Sequence, residues 1–134
     1  MAQPMSVFDI AGRAMSAQLV RLNATASNLA NAGSVAGSRD GAFQSIRPVF
    51  RTITERAGVA TVQVDGVIAS GAQPTKRHDP THPLADRNGD VWEAGVDSAA
   101  EMVDMIEAAR QYQNDVQVLQ TAKTLTLDTL RLGK

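Results

Sequence analysis

At 134 residues the chain is long enough for one ordinary domain and too short for two. Its net charge of −1 excludes a general electrostatic attraction to nucleic acid or anionic membrane, and the absence of cysteine excludes disulfides and thiolate chemistry. Aromatic residues make up only 4%, so either the core is thin or much of the burial happens against other chains.

The first predicted element is a helix announced by Ser6, with Asp9 three residues on to complete a capping box and Met5 placed to staple against Ile10. Phe8, Ala11, Met15, Leu19, Leu22, Ala26 and Leu29 follow at a mean spacing of about 3.5, a coiled-coil period. Alanines fill the other faces, and only Asp9, Arg13 and Arg21 carry charge. A helix without a charged face either packs closely on one neighbour through small residues or is buried on several sides by other subunits. The uncharged run from Leu22 to Ser38 is too rich in Asn, Ser and Thr for a bilayer span. The start of the chain lacks the charged, apolar and cleavage regions of a secretory signal.

After the glycines at 33, 37 and 41, read as a flexible connector, Phe43 to Ile53 and Val59 to Ile68 read as strands because both are rich in β-branched residues with partial alternation. Pro48 puts the first on an edge or at a bulge. Residues 71–90, GAQPTKRHDPTHPLADRNGD, read as loop throughout, with a turn at Asn88-Gly89, and Asp90 to Trp92 as one short strand after it.

The second helix is capped by Ser98 with Glu101, or alternatively by Asp97. Met102, Met105, Ala109, Tyr112, Val116, Leu119, Ala122, Thr126 and Leu130 again average about 3.5 residues apart. Asp97, Glu101, Asp104 and Glu107 crowd its start, and Lys123, Arg131 and Lys134 its end, as the macrodipole favours. Roughly 35 residues make a rod of about 50 Å, too long for a small domain to cover. The first helix is its natural partner.

The expected fold is therefore α+β and mainly α, with long N- and C-terminal helices pairing as a coiled coil around a β-rich hairpin and loop insertion. Three segments follow: residues 1–36, 37–95 and 96–134.

No chemistry stands out. His78 and His82 are four apart, but Pro80 and Pro83 forbid the helix that would bring them together on zinc. A small metal-binding module built on these two and the nearby aspartates is the rival reading. DRNGD has Gly89 at the fourth position, where a calcium loop needs glycine at the sixth. The glycines at 33, 37 and 41 follow a helix, whereas phosphate loops precede one. No serine sits in a nucleophile elbow. Neither an enzyme nor a cofactor site is expected.

The stretch TASNLANAGSVAG, residues 25–37, resembles the axial-protein motif of the bacterial flagellum, with Asn28, Leu29, Ala30 and Asn31 as the motif and Gly37 closing it. Residues 5–34 are similar to the N-terminal region of the proximal-rod proteins of the basal body. DPTHPLADRNGDVW is similar to their H-P loop, and residues 96–134 to their C-terminal helix. Asp90 departs from a common Tyr, and Ala94-Gly95 from a common Pro-Asn. The resemblance implies a structural subunit of the proximal rod, the drive shaft that crosses the periplasm, with terminal helices stacked as a tube and the middle region facing outward. It implies passage, largely unfolded and without a cleaved signal peptide, through the flagellar type III export apparatus. Implied partners are other copies of itself, neighbouring proximal and distal rod subunits, and the basal-body ring and export-gate proteins. Another rod or hook axial protein is the nearest alternative.

On this reading the helix seam consists of Phe8, Met15, Leu19, Leu22 and Leu29 against Met102, Met105, Tyr112, Val116, Leu119 and Leu130. Asparagines in such a seam are expected to bond across packed helices and fix register.

Overall fold

The computed structural model describes residues 6–54 and 58–133. The expected Met5 staple and the terminal Lys134 lie outside them. Helix α1 spans Val7–Asn31 and helix α2 spans Ser98–Leu132, 25 and 35 residues. Together they make the protein roughly half helical, with a β-rich region between.

Local chemistry starts both helices. Ser6 caps α1: its hydroxyl accepts the Asp9 N–H at 3.2 Å, and the Asp9 carboxylate accepts the Ser6 N–H at 2.9 Å. Those bonds from Ser6 hold the Asp9 carboxyl below the usual carboxylate range. Helix α2 starts differently from the first expectation. Asp97 is its cap, accepting the N–H groups of Ala99 and Ala100 at 3.0 and 3.1 Å. Glu101 is not part of a capping box, because its carboxylate is drawn into the interior.

Among its described residues the middle region holds five strands: β1 Val35–Ala36, β2 Ile46–Thr54, β3 Ala60–Ala69, β4 Thr75–His78 and β5 Asp90–Glu93. Strands β2 and β3 form an antiparallel hairpin. The register slips beside Pro48: Val49 faces Gly66 and Phe50 faces Val64, leaving Asp65 as the extra residue of a bulge. Its carboxylate pairs with Arg51 at 2.9 Å.

Strands β1, β5 and β4 form a second antiparallel sheet with β5 in the centre. Two parts of it correct the sequence reading. β1 lies in the stretch read as a flexible connector, and β4 in the stretch read as loop throughout. Both are short, and each owes its pairing to β5, a partner distant in sequence. The Asn88-Gly89 turn exists, but inside the loop joining β4 to β5. The Gly89 N–H bonds the Asp86 carbonyl at 3.0 Å, and Gly89 has φ of 77°.

The helices pack antiparallel: Asn28 near the end of α1 meets Glu101 at the start of α2, and Arg21 meets Asp104 and Glu107. The buried apolar residues are Ala11, Ala17, Ala24, Ala42, Ala94, Ala108 and Val91. Such a core is thin. Alanines let backbones approach closely but each buries little area.

The large residues of the expected seam are not what this packing buries. Phe8, Leu19, Met102 and Leu130 are exposed, and Met15, Leu22, Leu29, Met105, Tyr112, Val116 and Leu119 are half-buried. The physical reason is pairing in twos: a single partner helix covers one narrow face, and the small residues give the closest approach.

Candidate assembly site

The end of α1 carries Thr25, Asn28 and Asn31 on successive turns. Thr25 is buried, and its hydroxyl donates to the Arg21 carbonyl at 2.9 Å. Asn28 is fully buried and uses its whole amide within the chain. Its Oδ1 accepts the Ile46 N–H at 2.8 Å, and its Nδ2 donates to the Ile46 carbonyl at 2.9 Å and to Glu101 Oε2 at 3.0 Å. Asn31 is half-buried, and its Nδ2 donates to the Ser27 carbonyl of the preceding turn at 2.8 Å.

Glu101 is 1% exposed and would be costly to bury unpaired. Arg47, which follows Ile46 on β2, supplies the charge: its Nη2 lies 2.7 Å from Glu101 Oε1, and its Nη1 donates to Glu101 Oε2 at 3.1 Å. The same guanidinium reaches Asp104 at 2.9 Å. Arg21 continues the chain of charges, lying 3.3 Å from both Asp104 and Glu107. Glu101, Asp104 and Glu107 thus have specific cationic partners on α1 and β2, beyond the macrodipole that the sequence offered as their explanation.

Sequence reasoning placed Asn28 near the end of α1 but missed Glu101, Arg47, Arg21 and Asp104. No local pattern marks them, because their partners lie 54 to 86 residues away.

The remaining motif residues face outward or partly so. Leu29 is half-buried and Ala30 exposed. Gly37 follows β1 and is exposed, but a Cβ there would stand 2.9 Å from the Leu84 carbonyl. The end of the motif therefore abuts the H-P loop.

Helix α2 presents exposed Met102, Val103, Ile106, Val118, Leu125, Leu127, Leu130 and Leu132. Met102 is 58% exposed and Leu130 64%. Val118 and Leu125 line an open cleft with Val7 and Phe8 of α1.

His78 engages the facing residue of β5, and His82 a neighbour in its own loop. His78 Nδ1 pairs with Asp90 Oδ1 at 2.8 Å, and His82 Nδ1 accepts the Leu84 N–H at 3.1 Å. Lys76 Nζ takes the other Asp90 oxygen at 2.5 Å. Lys76 first and His78 second hold the Asp90 carboxyl below its usual range, and Asp90 raises Lys76 in return. Among the described residues no group of three or more His, Asp or Glu is placed to hold a metal ion. No described helix is long and apolar enough to cross a membrane.

Comparison with known proteins adds the rest. Residues 8–37 match the family model described as flagella basal body rod protein, and residues 87–132 the one described as flagellar basal body rod FlgEFG protein C-terminal. The chain is similar to the flagellar basal-body rod protein FlgC of Salmonella typhimurium strain LT2, with 44% identity covering 97% of this chain and 98% of that one. It is 43% identical to FlgC of Yersinia enterocolitica, with the same coverage. To FlgC of Buchnera aphidicola subsp. Schizaphis graminum it is 36% identical, again over 97% and 98% of the two chains. With matches that run through both helices and the region between, the chain belongs to the FlgC family of flagellar basal-body rod proteins, a structural subunit of the rod and not an enzyme.

Proposed function

We propose that this subunit builds the wall of the proximal rod with the outward faces of its terminal helices, through heptad seams formed between subunits. One observation carries this reading: large apolar side chains, three near the start of α2 (Met102, Val103, Ile106) and five in its second half (Val118, Leu125, Leu127, Leu130, Leu132), stand exposed on a helix of 35 residues. Burying a fully exposed Leu, Ile or Met contributes about 1.5–3 kcal/mol, so their burial against neighbouring subunits favours association.

On this reading residues 1–36 and 96–134 are the axial parts and residues 37–95 the outward region. Leu29, Ala30, Asn31 and Gly37 shape the surface at one end of the helix pair, and Asn28 supports it from inside. The partners are copies of this chain, neighbouring proximal and distal rod subunits, and the basal-body ring and export-gate proteins at the rod's end. The chain reaches its place by type III export without a cleaved signal peptide, and folds as it joins the rod crossing the periplasm. Folding on assembly suits helices whose large apolar residues lack cover in the isolated subunit.

Because the chain has no cysteine, a single introduced one reports contacts without background. Met102→Cys and Leu130→Cys subunits in isolated basal bodies should crosslink to neighbouring rod subunits with a short bifunctional maleimide. Adducts absent from assembled rods at both positions would refute the seam.

A further inference from the structure

We propose that Asn28, Arg47 and Glu101 form a latch within each subunit that sets how the β2–β3 hairpin seats on the helix pair, so that the first asparagine of the axial motif acts inside the subunit and not across an interface.

The side-chain amide of Asn28 pairs with both backbone polar groups of one residue. It accepts from the Ile46 N–H at 2.8 Å and donates to the Ile46 carbonyl at 2.9 Å, taking the place of a neighbouring strand at the first residue of β2. Only a primary amide offers an acceptor and a donor side by side. Aspartate has the shape but no donor, and glutamine is one carbon longer. The second Nδ2 hydrogen goes to Glu101 at 3.0 Å. Glu101 in turn takes both terminal nitrogens of Arg47, the residue next to Ile46.

One buried carboxylate therefore joins the end of α1, the start of β2 and the start of α2. Both Nδ2 hydrogens and the Oδ1 are bonded inside the chain, and the side chain is fully buried, so Asn28 presents no polar atom to another subunit. The geometry is also intolerant of slippage. Sliding α1 by one turn along α2 displaces Asn28 by about 5.4 Å and breaks the bond to Glu101, leaving buried polar groups unpaired. A buried polar cluster of this kind selects one register at a cost in stability.

The test uses the full-length protein with Asn28→Asp, Glu101→Gln and the double variant. Asn28→Asp removes both donors and sets a carboxylate against Glu101. Glu101→Gln in the same chain removes the repulsion and restores a donor between the two positions. In the monomer, hydrogen exchange at the Ile46 amide should become about tenfold faster in Asn28→Asp, and the double variant should recover most of that loss. Rod assembly should follow the same order. Native-like Ile46 protection in an Asn28→Asp monomer that cannot assemble would place the asparagine at an interface and overturn the latch. Should Asn28→Asp fail to fold, the double variant decides: refolding supports the latch, and no improvement refutes it. These monomer readouts do not depend on whether the exposed apolar side chains meet neighbouring subunits.

Discussion

Gly95 stands so close to the carbonyl of Ala72 that a Cβ on Gly95 would overlap it, with the backbone of Gln73 also crowded. Gly95 is buried, donates its N–H to the Phe43 carbonyl at 2.8 Å and accepts the Ser45 N–H at 3.2 Å. The segment between β5 and α2 is thereby tied to the chain leading into β2. Gly95→Ala should force residues 72–73 away and destabilise the protein by about 1–3 kcal/mol. Thermal unfolding should show a midpoint several degrees lower, and an unchanged midpoint would show that the 72–73 segment yields freely.

The carboxylate of Asp90 gives the β4–β5 pair a pH dependence. Its folded value is depressed, so its contribution is complete above the ordinary aspartate value of about 3.9 and is lost as pH falls below that through the folded value. Lys76 is raised, so its share is complete below about 10.4 and is lost as pH rises through its folded value. The difference in melting temperature between the native protein and Asp90→Asn should be flat across neutral pH and shrink at both extremes. A difference independent of pH down to about 2 would remove the carboxylate from the account.

His78→Ala and His82→Ala together should leave rod assembly and motility intact, since one imidazole bonds Asp90 on the facing strand and the other the Leu84 N–H of its loop, both inside the subunit. Elemental analysis of the purified native protein should find no stoichiometric metal. Loss of motility accompanied by loss of a bound metal would revive the metal-module reading.

Leu22 and Leu119 lie midway along the two stripes and are half-buried in the isolated subunit. Replacing either with Asp removes about 1–2 kcal/mol of burial and adds the larger cost of desolvating a charge wherever a neighbouring subunit covers it. The penalty recurs at each copy in a helical lattice. Cells carrying Leu22→Asp or Leu119→Asp should export the protein yet lack rods and fail to swim. Normal swimming by both would refute the seam, and absent export would move the defect to an earlier step.

The dilute monomer should be less helical than the 25 and 35 residues of α1 and α2 allow. The last turns of α2, from Leu125 to Leu132, are exposed throughout, and isolated helical turns are marginal in water. Circular dichroism should report clearly fewer than about 60 helical residues, and amide exchange in that segment should be faster than at Ala108. Full helicity at micromolar concentration would contradict this.

What the sequence determined by itself is whatever neighbours in sequence decide. The Ser6–Asp9 cap, the extents of two long helices and the strands on either side of residues 55–57 all follow from contacts within a few residues or from periodicity, while Pro48 left an edge or a bulge open and the structure has the bulge. The N-terminal region with its motif at 28–31, the H-P loop and the C-terminal helix likewise identified the family. Tertiary structure decided the rest, because partners far along the chain compete with local ones. Glu101 sits three residues after Ser98, where a capping box would claim it, yet a buried amide and a guanidinium bind it more strongly, leaving Asp97 to cap the helix. Strands β1 and β4, of two and four residues, have little propensity of their own and exist because β5 lies between them. Asn28 bears the same side chain in any fold, but only the meeting of α1, β2 and α2 decides that its amide is satisfied within the subunit.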